Sequence, residues 1–181
     1  PIRIGMTASV PKDGQKKEKI MCHIGGGILN KTETKTLQDL GIISGCHIDM
    51  YYTQDHNVPE FDEWRDEKKY LDKNKKRVQA IADFLSGFPP TNTLVLTHPQ
   101  FGSQLAEKLQ CGFVDKDAKT SYREELFGQY ENNDDIIHVA TFGTAGTGIS
   151  IDRIFRLVMI DVGKNPTAIV QGIGRGLRKD G

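Results

Sequence analysis

The sequence has no apolar run long enough to cross a membrane, which sets aside a membrane role. It has no excess of either charge, since Lys plus Arg and Asp plus Glu both number 24 in 181 residues. No global positive field advertises a polyanion partner, so any nucleic-acid site has to be local. Cysteines are scarce: Cys22, Cys46 and Cys111 are odd in number and widely spaced, which suits reduced cytoplasmic thiols better than a disulfide framework. Cys22-His23 and Cys46-His47 lack the C-x2-C spacing that closes a structural zinc site, so buried thiols and no metal centre are expected. An initiating Met and a charged-then-apolar leader are both missing, and the start at Pro1 reads as cut from something longer. Internal repeats and low-complexity stretches are absent as well.

What is present is a strand and helix alternation. Ile2, Ile4 and Met6 alternate with Arg3 and Gly5, as in a short strand that stops before Pro11. Residues 12–19 are polar and lysine-rich, and Ile24 to Ile28 is too rich in glycine for a helix interior. Thr32-Glu33-Thr34 opens a brief helix through Leu37 and Leu40 that ends at Gly41, and His47 to Tyr52 is expected to be a strand. Residues 53–63 form an irregular connection. Val78, Ile81, Ala82, Leu85 and Phe88 then fall at helical spacing behind the basic run Lys73, Lys75, Lys76 and Arg77, and Pro89-Pro90 ends that helix. Thr93 to Thr97 is an apolar strand, Phe101, Leu105 and Leu109 stripe a helix, and Phe113-Val114 starts another strand. Tyr122, Leu126 and Tyr130 stripe the next helix. Ile136 to Ala140 and Leu157 to Ile160 have the continuous apolar character of strands buried on both faces. A last helix begins near Pro166. Alternation from about residue 78 to 178 predicts an α/β fold, a mostly parallel sheet with helices on both faces.

Two segments can carry chemistry. In the last helix, at about 100° per residue, Gln171, Arg175 and Arg178 project from one face while Ile169, Ile173 and Leu177 point to the other. Arginine is permanently charged and forks onto phosphate oxygens, so two of them stepped along one face make a clamp for a triphosphate. On periodicity alone an equal alternative is that Arg175, Arg178 and Lys179 complement the negative end of the helix. The second segment, Ala140 to Ile151, follows a predicted strand and contains Thr141, Thr144, Gly146, Gly148 and Ser150. Small residues there let backbone N–H groups approach an anion, whereas a tight turn without a ligand has the same composition.

In order and spacing, these two segments resemble motifs V and VI of superfamily 2 helicases, and Gln171-Gly-Ile-Gly174-Arg175-Gly-Leu-Arg178 is the specific part of the likeness. Thr7-Ala8-Ser9 before Val10-Pro11 looks like motif III, Thr93 to Thr97 with His98 resembles motif IV, and Arg123-Glu124 falls where the family often carries an arginine-glutamate pair. Thr32 to Gly41, Thr147 to Ile151 and Ile173 to Lys179 look most like phage UvsW-type recombination helicases. The resemblance implies a RecA-like fold in which residues 1–12 end a first motor domain and residues 13–181 form the second, truncated at both ends of the chain. It also implies arginine fingers at Arg175 and Arg178, nucleotide coupling through Gln171, Gly146, Gly148 and Ser150, and nucleic-acid contacts from Thr97, His98, Thr141 and Thr144. Thr7, Ala8 and Ser9 would couple the domains.

Departures from the pattern narrow this expectation. Ser150 stands where many relatives have Asp, which puts a direct acidic contact to ribose in doubt. No G-x-x-x-x-G-K-[ST] is found, and Asp62-Glu63-Trp64 sits in a polar connection, so the lysine and acid that hold ATP and Mg2+ would come from the missing first domain. The expected function is therefore the C-terminal motor domain of an ATP-dependent DNA helicase. It would act on branched DNA in recombination, repair or replication, holding branched or single-stranded DNA by its backbone, in the cytoplasm (the host's, for a viral protein), and be inactive alone. A restriction-enzyme translocase, an RNA helicase and a non-enzymatic RecA-like binding module remain open.

Overall fold

The structure, a computed structural model, describes residues 33–52, 58–145 and 153–162. The strand expected at Ile2 to Met6, the segments with Thr7-Ala8-Ser9, Ile24 to Ile28, and Gly146, Gly148 and Ser150, and the last helix expected with Gln171, Arg175 and Arg178 lie outside these residues. The chain divides into two compact units, Pro1–Gly45 and Cys46–Gly181.

In the first unit, α1 (Thr34–Asp39) is closed by Leu40 at its C-cap. Gly41 follows with φ 68°, a left-handed conformation that glycine adopts without a Cβ clash. The N–H groups of Gly41 and Ile42 return to the carbonyls of Gln38 and Leu37, both at 2.9 Å, so the expected stop is built as the glycine predicts.

The second unit contains α2 (Trp64–Lys73), α3 (Lys75–Ser86), β1 (Thr93–Thr97), α4 (Pro99–Leu109), β2 (Gly112–Val114), α5 (Thr120–Asn132), β3 (Ile137–Thr141), α6 (Phe142–Ala145) and β4 (Arg156–Met159). The four strands form one sheet in the order β2-β3-β1-β4, every pair parallel. Strand parity separates the core into two layers. Val95 and Val139 point to the layer holding Val78, Ile81 and Leu85 of α3 and Phe101 and Leu105 of α4. Leu94, Leu96 and Ala140 point to the opposite layer, with Leu126, Phe127 and Tyr130 of α5. Helices on both faces of a parallel sheet are the expected architecture. Each fully buried Leu, Val or Phe contributes about 1.5–3 kcal/mol to it.

Local chemistry sets the boundaries. Asn74 closes α2 and opens α3: its side-chain oxygen accepts from the N–H groups of Lys76 and Arg77, each at 3.1 Å. The basic run thus straddles two helices, with Lys73, Lys75 and Lys76 exposed and Arg77 turned inward. α4 starts on Pro99, whose fixed φ suits a first turn, and Gly102 lets it press onto the sheet. A Cβ at Gly102 would meet Phe113 Cε2 at 2.7 Å and Thr97 Cγ2 at 3.0 Å.

Several expectations are corrected. His47 to Tyr52 forms no strand: Ile48, Met50 and Tyr52 are exposed, and Tyr51 instead packs edge-on against Phe84, ring centres 4.8 Å apart. The segment has no ladder partner among the described residues, and Tyr51 itself stays largely exposed beside Phe84. Helix α2 was not foreseen, because its sequence is polar and relies on local pairs such as Lys68 to Asp72 (2.5 Å) and Lys69 to Asp66 (2.9 Å). β4 is only half-buried, since β1 is its one neighbour in the described sheet. Cys46 is exposed rather than buried. The partly buried Cys111 thiol is pushed up to about 11 by burial and stays protonated.

The strand starts are stapled by Asn92, which is fully buried. Its amide donates to the carbonyls of Tyr130 (3.1 Å) and Asn133 (2.6 Å), and its side-chain oxygen accepts from Ile136 N (3.1 Å). Its own carbonyl accepts from Phe155 and Arg156 at 3.1 and 3.0 Å. Asn92→Ala is expected to cost about 3–5 kcal/mol in chemical denaturation, because it strands several buried backbone groups. Asn92→Asp should be worse, since a carboxylate would face two carbonyl oxygens.

On β3, His138 is buried against Tyr130, accepts from Gly112 N through Nδ1 (3.2 Å) and donates from Nε2 to Gln129 (3.1 Å). Desolvation holds its pKa down, to about 4 from the usual 6.5. The folded state therefore favours the neutral ring. The stability this provides is complete above pH 6.5 and is lost as the pH falls toward 4. The loss over that window is expected to be about 3 kcal/mol larger for the parent than for His138→Gln, measured as unfolding free energy against pH.

Candidate functional site

Parallel strands present their C-terminal ends on one edge, and ligands in open α/β sheets bind where connections from adjacent strands part there. In this chain β1 and β3 are adjacent strands, and their last residues, Thr97 and Thr141, are direct register partners. From Thr97 the chain turns into α4 on one face, through His98, which occupies the N-cap position. From Thr141 it enters the short α6, with Thr144 in its single turn. The structure thus brings Thr97, His98, Thr141 and Thr144 to one edge.

Their exposure differs. Thr97, Thr141 and Thr144 are buried and form the floor of the edge, while His98 is half-buried above them. The hydroxyls of Thr141 and Thr144 are 2.8 Å apart and share a hydrogen bond. Thr97 Oγ1 is buried without a hydrogen-bond partner among the described residues. The His98 ring bonds through Nε2 to the carbonyl of Asp161 (3.0 Å) and meets Phe142 edge-on, centres 5.9 Å apart. His98 therefore links the end of β1, the turn after β3 and the loop after β4.

Asp161 was missed by sequence reasoning, which stopped at the apolar strand before it. It pairs with Arg77 of α3 at 2.7 Å and bonds His98 through its carbonyl. The one available signal was an acid directly after a strand run. Arg123, expected as half of a family pair, holds the turn before α5: its Nη2 donates to the carbonyls of Asp115 (3.1 Å) and Lys116 (2.8 Å), while Glu124 is exposed. Asp62 and Glu63 precede α2, with Glu63 at its N-cap position, away from any strand end. Among the described residues no group of three or more His, Cys, Asp or Glu could hold a metal ion, and no helix is long and apolar enough to cross a membrane.

What this edge presents to its surroundings is the half-buried imidazole of His98, with the hydroxyl residues Thr97, Thr141 and Thr144 buried beneath it. An imidazole N–H can hold a phosphate oxygen without reading a base edge.

Comparison with known proteins bears on the family and the fold. The model of the helicase conserved C-terminal domain matches residues 73–180, a span that includes Thr97, His98, Thr141, Thr144, Gln171, Arg175 and Arg178. The ATP-dependent DNA helicase uvsW of Enterobacteria phage T4 is 25% identical over 195 residues, covering 99% of this chain and 38% of that protein. The chain thus spans well under half of that relative. The crystal structure of T4 UvsW superposes with a TM-score of 0.55 at 26% identity, over 65% of this chain and 26% of that one. The C-terminal part of the Fun30 ATPase domain gives a TM-score of 0.44 at 20% identity, over 66% of this chain and 39% of that one, a likeness too slight to bear on function.

The buried hydroxyls make opposite predictions. Thr97→Val, which removes an unpartnered buried hydroxyl while keeping the shape, should raise stability by up to about 1 kcal/mol. Thr141→Val, which breaks the bond to Thr144, should lower it by about 1 kcal/mol. Thermal unfolding of the two variants beside the parent checks both signs.

Proposed function

This chain belongs to the helicase conserved C-terminal domain family, and on that premise we propose that it is the second motor lobe of an ATP-dependent superfamily 2 helicase acting on branched DNA in recombination, repair or replication. The observation that carries the reading is the meeting of Thr97 and His98 with Thr141 at the C-terminal ends of adjacent parallel strands. Two segments that sequence alone could only liken to separate motifs lie side by side at the edge where such folds bind ligands. The name of the T4 relative, an ATP-dependent DNA helicase, supports DNA as the track.

In this proposal residues 1–12 end the first motor domain, with Thr7, Ala8 and Ser9 at the joint, and residues 13–181 form the second. The partner lobe holds ATP and Mg2+, and the complete protein works in the cytoplasm. Gln171, Gly146, Gly148 and Ser150 face the nucleotide. Arg175 and Arg178 reach across to it, where a guanidinium stabilises charge that develops on the transferring phosphoryl group. His98 bears on the strand's backbone, with Thr97, Thr141 and Thr144 beneath it. Closing and opening of the two lobes in turn would advance them along a strand held by its phosphates. The chain alone is expected not to hydrolyse ATP.

ATP turnover by the complete gene product, measured without nucleic acid, with branched DNA and with single-stranded RNA, tests the reading. Strong stimulation by branched DNA is expected. Stimulation by RNA alone would point to an RNA helicase, and no turnover under any condition to a binding module. Arg178→Ala should lower turnover by roughly 10³-fold or more with ATP binding largely retained; equal turnover in variant and parent would sink the finger assignment. DNA affinity should be insensitive to sequence and fall steeply with salt.

A further inference from the structure

The C-terminal edge contains an ion pair that backbone binding does not require. Arg77, in the first turn of α3, donates from Nη2 to Asp161 Oδ1 at 2.7 Å across 84 residues of chain. Its side chain is only 13% exposed, its guanidinium carbon lies 4.7 Å from the centre of the Phe101 ring, and Nη1 is buried without a hydrogen-bond partner among the described residues. Asp161 has φ 56°, in the left-handed region that residues with a Cβ rarely enter. Its carbonyl accepts from His98 Nε2 at 3.0 Å, while the preceding residue, Ile160, is still tied to Leu96 by a 2.9 Å backbone bond.

Three elements thus close on one strained residue: α3 through the carboxylate, the β1–α4 junction through the carbonyl, and β1 through the residue before it. A backbone conformation of this kind persists only where its surroundings over-determine it, and such places cluster at switch and active sites. Largely burying a guanidinium with one nitrogen unpartnered is a poor way to gain stability, because desolvation offsets the Coulombic attraction. It is an effective way to hold one geometry.

We infer that Arg77 and Asp161 are positioning residues that set the direction in which the chain leaves β4 for the segment bearing Gln171, Arg175 and Arg178, and that His98 ties this setting to the nucleic-acid edge. The inference rests on the motor-lobe reading above. A phosphate seated at the edge competes for the imidazole N–H that the Asp161 carbonyl accepts, so occupancy at one site is felt at the exit toward the other. That is a route by which DNA stimulates hydrolysis.

The test uses the complete gene product as parent, Asp161→Asn, Arg77→Gln and the double variant. Turnover with and without branched DNA, the KM for ATP, DNA affinity and the melting midpoint are measured for each. Asparagine keeps the shape and tolerates the left-handed backbone. Arg77→Lys, which keeps the cation but not the fork, answers the same question if Asp161→Asn does not fold. DNA-stimulated kcat is expected to fall roughly 10- to 100-fold, with KM and DNA affinity within about twofold of the parent. The double variant should be no worse than either single, as for two residues acting as one unit. A pair that only stabilises the fold would lower the melting midpoint and leave the DNA-stimulated kcat of the folded protein unchanged, which would overturn the inference alone. A parent without DNA-stimulated turnover would overturn the motor reading, and this inference with it.

Discussion

The sheet's register is held from its N-terminal edge by one buried amide. Asn92 precedes β1, and its side chain and carbonyl together reach the end of α5, the residue before β3 and the first residue of β4. Because the strands are parallel, whatever fixes their starts also fixes their ends. Thr97 stands level with Thr141 because Thr93 stands level with Ile137. A one-residue slip of β1 at Asn92 would turn Val95 out of one core layer and Leu94 and Leu96 out of the other. The candidate site, at the far end of the strands, therefore depends on a polar group that never meets it.

At that far end the packing changes character. The floor of Thr97, Thr141 and Thr144 is buried but polar, and His98 and Asp161 above it belong to loops held by single hydrogen bonds and one ion pair. Apolar layers give the sheet its stability, and this edge departs from them. Local rules are broken there: an unpartnered hydroxyl at Thr97, a left-handed aspartate, and a guanidinium with one idle nitrogen. Such departures are expected where function sets the geometry.

Most of the second unit was legible in the sequence because apolar periodicity and parallel-strand composition agree there. Thr93 to Thr97, Phe101 to Leu109 and the stripe ending at Tyr130 took the predicted form, and so did the stripe from Val78 as far as Leu85, its helix stopping at Ser86 before Phe88. Helix α2 escaped because its sequence is polar, and His47 to Tyr52 misled because its apolar and aromatic residues suit a strand but meet no partner strand among the described residues. Of the candidate site, Thr97, His98, Thr141 and Thr144 were legible as motif residues, but their meeting on one edge was not, since that depends on strand order. Arg77 and Asp161 were invisible for the same reason: 84 residues separate them, and only the fold makes them neighbours.

The strand order also has a consequence for how the chain is made. β1 lies in the middle of the described sheet, yet both of its neighbours, β3 and β4, come later in the chain. As the polypeptide emerges from the ribosome, β1 and the helices on its first face appear with both strand edges open. An open apolar edge is a template for wrong pairing. The Asn92 staple cannot close until residues 155 and 156 have been made. Until then the nascent domain is at its most prone to aggregation, and α3 and α4, which pack together over β1 before either neighbouring strand arrives, are the shield it has.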